Sequence, residues 1–313
     1  MLGLHIIWFR QDLRVHDNAA LRAACQTAER DGGEVMALYI LPTAADISGT
    51  PALSETPFLF EALRDLQAAL AQRGARLHLR QGDVNAVLSD ILRTHQVMSL
   101  HVHDAWIEGA DLRRVEAWTL RAGVPFRLHR QFNPQQAPSD TELWQTSWER
   151  FMARPRHEAP DTIRTADIGV GQWPKGTSLP LASADDLPAL RGGRKHAIQT
   201  LRACLGAGVS SAVTLSSVEA IDALKPHLRI GSVSPREVWQ AAVGAHQQAL
   251  KAGLDIRGAS IASFLQLLPA LFRPQPAMDG ANTKARRASI RPDQAAPGQQ
   301  LSLGFGQSAR PNE

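Results

Sequence analysis

The densest set of groups able to form charge-assisted hydrogen bonds is Arg10-Gln11-Asp12-Leu13-Arg14-Val15-His16-Asp17-Asn18. Arginines and aspartates alternating at this spacing can pair, and such pairs fix the course of a loop. The segment follows an apolar run, where a strand-to-helix turn would sit, yet it contains no glycine. A dinucleotide site at such a turn uses G-x-G-x-x-G so that backbone amides can approach a pyrophosphate. A nicotinamide-type site in this turn is therefore not expected. His101 and His103 share one strand face beside Asp104, but no third or fourth ligand is evident, and the pattern reads as a strand end beneath a ligand crevice, not as a metal site. Cys25 and Cys204 lie far apart with no Cys-x-x-Cys or Cys/His spacing, so they read as reduced thiols in helices. No catalytic residue is identifiable.

The elements that position these groups follow from periodicity. Strands are expected at Leu4 to Phe9, Glu34 to Leu41, Ala75 to Arg80, Val97 to His103 and Val124 to His129. Helical spacing links Leu59, Leu63, Leu66 and Leu70, and again Val84, Val87, Leu88 and Ile91. Thr56 before Pro57 suits a helix start, and Asp17 or Asn18 would cap the helix after the first strand. Alternating strands and helices with right-handed crossovers imply an α/β fold, a Rossmann-like doubly wound parallel sheet of five strands. This α/β domain covers residues 1–133. An interdomain linker follows at 134–190, with one aromatic helix from Glu142 to Met152. A small all-α region spans 191–273, in which Ser234-Pro235-Arg236-Glu237 reads as a capping box and Gly258 to Phe272 as one apolar helix. Residues 274–313 have the composition of a disordered tail.

Hydrophobic content of 44%, charged content of 20% and a net charge of +4 suit a soluble globular protein and permit a nucleic-acid partner without requiring one. No run approaches the ~20 apolar residues of a membrane span, and the N-terminus lacks a signal-peptide pattern, which points to the cytoplasm.

Trp8-Phe9-Arg10-Gln11-Asp12-Leu13-Arg14-Val15-His16-Asp17-Asn18-Ala19-Ala20-Leu21 resembles, nearly residue for residue, the opening of the DNA photolyase/cryptochrome family. Two further stretches agree in order. Gly192-Gly193-Arg194-Lys195-His196-Ala197 is similar to the glycine pair that opens the family's helical domain, and Leu224 to Trp239 resembles its LSPHLRFGEISPREVW-like segment. With Trp144 to Phe151 as a divergent aromatic link, the resemblance covers residues 4 to about 245. It implies that Arg10, Asp12, Arg14, Asp17, Asn18, Arg229 and Gly231 build the sheet domain and its contact with the helical domain. It also implies FAD as cofactor, DNA as partner and light-driven repair as activity. An antenna pigment is a further family property, but the Asn-Glu pair of folate-binding members is not evident around Glu108-Gly109-Ala110-Asp111, so that pigment stays unassigned.

The departures matter equally. The family holds the flavin phosphates with Thr-Ser-x-Leu-Ser, and the aligned positions here are Ile221-Asp222-Ala223-Leu224-Lys225. Two hydroxyls give way to an alkyl group and a carboxylate, and a carboxylate beside a pyrophosphate is repulsive by ~1 kcal/mol or more. Leu224 and Lys225 remain the candidate flavin-phosphate residues, with Lys225 able to offset part of that charge. The family's ring contacts and tryptophan electron-transfer chain lie beyond this segment, and no tryptophan follows Trp239. The expected function is therefore a DNA-repair accessory or DNA-binding protein with a degenerate flavin site in a shortened helical domain. The alternatives are a minimal FAD-dependent deoxyribodipyrimidine photolyase and a non-functional remnant. In the tail, Gln300-Leu301-Ser302-Leu303-Gly304-Phe305 resembles peptides that dock on the bacterial sliding clamp, with Gln300, Leu301, Leu303 and Phe305 as the anchors. Lys284, Arg286, Arg287 and Arg291 form a basic patch beside it.

Overall fold

The computed structural model describes residues 2–41, 57–104, 110–131, 141–171, 191–206 and 215–272. Strands β1 (Leu4–Phe9), β2 (Glu34–Leu41), β3 (Leu77–Gln81), β4 (Val97–His103) and β5 (Phe126–His129) form one sheet in the order β3-β2-β1-β4-β5. Every pairing is parallel. Helices α1 (Ala19–Asp31), α2 (Pro57–Ala71), α3 (Val84–Thr94) and α4 (Ala110–Ala122) make the crossovers. The strand order reverses between β1 and β4, which makes their carboxyl ends the switch point of the sheet.

A parallel sheet is covered on both faces, so its strands read as apolar runs instead of alternating ones. All six residues of β1 are buried. Ile7, Phe9, Ala37, Tyr39, Leu77 and Leu79 meet α1 and α2 on one face. Leu4, Ile6, Trp8, Met36, Leu38, Leu100 and Val102 meet α3 and α4 on the other. Three strand boundaries match the sequence expectation, whereas β3 and β5 each start two residues later. In both cases the residue after a left-handed glycine, Gly74 or Gly123, completes the turn first: Ala75 and Val124 donate their amides to Leu70 and Thr119.

The helical part contains α5 (Thr141–Met152), α6 (Arg194–Cys204), α7 (Ser217–Ile230), α8 (Pro235–Lys251) and α9 (Asp255–Leu267). The single helix expected over 258–272 instead starts at Asp255 and tightens into a 3₁₀ turn at Leu268–Phe272. Pro269 lacks the N–H that would continue the ladder, which is where a helix gives way. A second core joins these helices. Trp144 and Trp148 stack with centroids 5.7 Å apart, and Phe272 closes on Trp148 at 4.6 Å.

Residues 1–274 form one compact unit. Within it, residues 153–171 run against the α/β part. Val35 N–H donates to the Arg164 carbonyl at 2.8 Å, Leu79 N–H to Val170 at 2.8 Å, and Ile163 N–H to Arg73 at 2.8 Å. The segment thus follows the outer edge of the α/β part and buries Ile163 and Ala166 against it.

Candidate functional site

The turn after β1 lies at the switch point and packs against the turn between α7 and α8. Asn18, not Asp17, is the N-cap of α1: its side chain accepts from Leu21 N–H at 2.8 Å while its amide donates to Asp12 and the Arg14 carbonyl. Asp12 is fully buried and accepts from Arg10 N–H at 2.8 Å and from His103 at 2.8 Å. Burial is the largest influence and opposes its charge, but the His103 hydrogen bond, the Arg10 amide and the Arg14 charge together hold the carboxyl below its ordinary value. Arg10 lies over the Trp8 ring at 5.0 Å.

Arg14 and Asp17 reach across to the helical part. Arg14 donates to the Gly231 carbonyl at 2.9 Å, to the Asp17 carbonyl at 3.1 Å and to Gln131 at 2.6 Å. Asp17 adopts a left-handed backbone, φ 46°, which aspartate tolerates better than most residues. In that conformation its carboxylate accepts from Ser234 Oγ at 2.5 Å and Arg236 at 3.0 Å, and from His157 N–H at 3.1 Å. Burial again raises the cost of its charge, yet Ser234, Arg14 and Arg236 together lower its pKa. Arg236 also covers the Phe151 ring at 4.8 Å. Arg229 is half-buried on α7 and stands outside this network among the described residues.

The α8 capping box expected at Ser234 to Glu237 is only half formed. Ser234 Oγ accepts from Glu237 N–H at 2.9 Å, but the Glu237 carboxylate turns to Arg194 in a bidentate pair at 2.8 and 2.6 Å. A guanidinium out-competes a neutral amide for that carboxylate. The complete capping box is one helix earlier, between Ser216 and Glu219. Ser216-Ser217-Val218-Glu219 carries the S-x-x-E signature of such a box.

Gly231 is where the two parts touch backbone to backbone. Its φ is 76°, and a Cβ there would stand 2.1 Å from the Gln11 carbonyl oxygen. Gly231→Ala is expected to cost about 3 kcal/mol, from the left-handed strain plus the overlap. Urea unfolding checks this, and a loss below about 1 kcal/mol would show that the loop simply moves aside.

Along β4, the histidines run into a hydrogen-bonded chain. His5 meets Ser99 at 2.8 Å, Ser99 meets His101 at 2.9 Å, and His101 meets His129 at 3.1 Å with their rings stacked. Burial, then the neighbouring His129, pushes His101 down to about 3, and burial pushes His129 down to about 4. The nitrogens of His101 and His103 therefore face protein partners, and among the described residues no three His, Cys, Asp or Glu converge on a common cation position. Burial raises both cysteine thiols to about 12, far from the reactive thiolate range.

The candidate flavin-phosphate segment lies inside α7. Ser216 caps that helix, so positions 221–225 are past its first turn and their amides belong to the intrahelical ladder. Leu224 is fully buried and Ile221 is 7% exposed, both in the second core, while Asp222 and Lys225 point to solvent. These residues do not fit a flavin diphosphate: the amides are already bonded, Leu224 faces away, and the nearest free side chain besides Lys225 is a carboxylate. Gln300, Leu301, Leu303 and Phe305 lie outside the described residues, as do Lys284, Arg286, Arg287, Arg291 and the side chains around Glu108 to Asp111.

Two cavities flank the interdomain loop. One of about 260 Å³ opens at the carboxyl edge of β1, β2 and β3 beside Trp8, Arg10, Tyr39 and Asp83. The other, about 490 Å³, lies between the 13–16 turn, α2 and α6.

Comparison with known proteins agrees with this architecture. Residues 5–158 match the family model for DNA photolyase. A deoxyribodipyrimidine photo-lyase of Alkalihalophilus pseudofirmus is 23% identical over 274 residues, covering 80% of this chain and 56% of that protein. The chain thus spans little more than half the length of such a relative. Among solved structures, a Synechocystis cryptochrome superposes with a TM-score of 0.68 at 18% identity, covering 87% of this chain and 61% of the other. A class III photolyase from Agrobacterium tumefaciens gives 0.58 at 21% identity, covering 87% and 59%. At these identities the superpositions speak for the fold alone.

Proposed function

The chain belongs to the DNA photolyase family through residues 5–158, and from that premise we propose that it serves DNA repair as a DNA-binding accessory protein whose helical part holds no flavin at the segment where the resemblance would put one. The observation that carries this reading is the course of α7 through residues 221–225. A diphosphate needs several free amides or hydroxyls converging on it. This segment offers a closed helical ladder, two apolar side chains in the core, and Asp222 beside Lys225 on the surface. The chemistry of the family resides in its cofactor, so a chain that cannot hold the cofactor there keeps the scaffold and its DNA affinity without the photochemistry. Docking of the tail on the sliding clamp through Gln300, Leu301, Leu303 and Phe305 belongs to the same reading and rests on the sequence motif.

The test combines a spectrum with a binding curve. Freshly purified protein should show no stoichiometric flavin absorption, and none should be released on denaturation. A fluorescein-labelled duplex should bind with an affinity that falls steeply with added salt, as phosphate contacts require. A one-to-one flavin spectrum together with blue-light reversal of pyrimidine dimers would overturn the proposal in favour of a minimal photolyase.

A further inference from the structure

The larger cavity has a composition that the DNA-repair reading does not use. Its helical wall is one face of α6, where Lys195, Ile198, Gln199 and Arg202 recur at helical spacing. Opposite stand Asp65, Ala69 and Gln72 on and just beyond α2, with Arg73 at the turn that follows. Leu66, Ala69 and Ile198 line the apolar side, where the first core and the helical core meet.

The charges are unequally satisfied. The only acidic side chain in the lining, Asp65, is committed: it accepts from Arg194 N–H at 2.8 Å and so caps α6, whose own N-cap is a glycine. Gly192 and Gly193 let that approach happen, since a Cβ on Gly192 would lie 1.9 Å from the Phe58 carbonyl oxygen. Arg194 is paired with Glu237. Lys195 and Arg202, by contrast, have no hydrogen-bond or ion-pair partner among the described residues. Arg73 reaches only the Ala69 carbonyl, and its buried Nε is unpartnered. Arg14, 3% exposed on the inner wall, also keeps a buried Nε without a partner. His16 at the mouth is held below its ordinary pKa by desolvation and then by Arg194 and Arg73, as a locally positive potential demands.

We propose that this cleft binds a nucleotide, with Arg73, Lys195 and Arg202 on its phosphates and the base on the apolar wall of Leu66, Ala69 and Ile198. A bare inorganic anion would leave the apolar wall exposed. A fatty acid would need a deeper apolar channel and a single cation. A nucleotide presents a planar, weakly polar ring next to two or more negative charges, and Gln72 and Gln199 stand at the rim to meet its base edges. About 490 Å³ falls within the range of small-ligand sites. The nucleotide is either free or part of a nucleic-acid strand.

The experiment is calorimetric titration of the full-length chain with ADP, with inorganic phosphate, and with a 5′-phosphorylated single-stranded oligonucleotide, followed by Lys195→Gln and Arg202→Gln. Both side chains are exposed, so neither change should disturb folding. ADP should bind one-to-one and more tightly than phosphate, and each variant should weaken it about tenfold, the value of a hydrogen bond to a charged group. ADP binding that the oligonucleotide cannot displace assigns a free nucleotide, while mutual displacement assigns a strand. No saturable binding of ADP or oligonucleotide would overturn the proposal, as would binding that both variants leave unchanged. Duplex affinity without ADP binding would remove this site and leave the DNA-repair reading intact, so the two can fail separately.

Discussion

Asp17→Ala is expected to remove about 3–5 kcal/mol of stability, since it strands a buried arginine. Arg236 is nearly buried and has one acidic partner, Asp17, at 3.0 Å. Its other hydrogen bond, to the Pro155 carbonyl at 3.1 Å, is to a neutral group. Ser234 Oγ would lose its acceptor, and alanine tolerates the left-handed backbone at position 17 less well than aspartate. A conformational change is expected too, because this carboxylate joins the turn after β1, the His157 segment and the start of α8. Urea unfolding gives the stability change, and limited proteolysis should show earlier cleavage between α5 and α6. The double variant Asp17→Ala/Arg236→Met should recover part of the loss, since it removes the stranded charge. If the double is no better than the sum of the singles, the ion pair is not what holds the joint.

Acid should unfold this chain earlier than its carboxylates alone would require. Burial lowers His101 to about 3 and both His129 and His227 to about 4. An unfolded histidine titrates near 6.5. Between those values the unfolded chain binds protons that the folded chain refuses, so stability is complete above pH ~6.5 and is lost progressively as pH falls towards 4 and then 3. Each such imidazole contributes a slope of about 1.4 kcal/mol per pH unit, and three together about 4 kcal/mol per unit. His101 and His129 share a hydrogen bond and take up protons as a pair. His227 stands apart, packed at 5.2 Å from Phe58 with its Nδ1 unpartnered. His227→Phe should therefore flatten the slope by about 1.4 kcal/mol per pH unit without loss at pH 7.5. Denaturation midpoints at pH 7.5, 6.0 and 5.0 check this, and an unchanged slope would show that His227 titrates normally in the folded chain.

The sheet was readable in the residues because parallel strands bury both faces and turn chemistry interrupts them. Leu4 to Phe9, Glu34 to Leu41 and Val97 to His103 were bounded correctly for that reason. The loop from Arg10 to Asn18 announced itself by composition, and its family resemblance carried the fold with it. Local signals could narrow the α1 cap to two residues but not choose between them. Tertiary structure made that choice: Asp17 is drawn away to Ser234 and Arg236, 217 and 219 residues later, which leaves Asn18 to cap the helix.

The same distinction runs through the rest of the site. Glu237 looked like the second half of a capping box, and Arg194 on another helix took it instead. Ile221 to Lys225 showed by residue type that hydroxyls were missing, but only the start of α7 at Ser217 showed that the backbone amides are also engaged. Lys195 and Arg202 gave no signal beyond two cations a helical repeat apart. They become a cleft wall because α2 packs against α6 through Glu61 and Asp65. Periodicity, caps and turns act over a few residues and are written in the chain. Charge pairing, desolvation and cavities depend on which distant segments the cores bring together, and those were decided only when the two cores closed against each other.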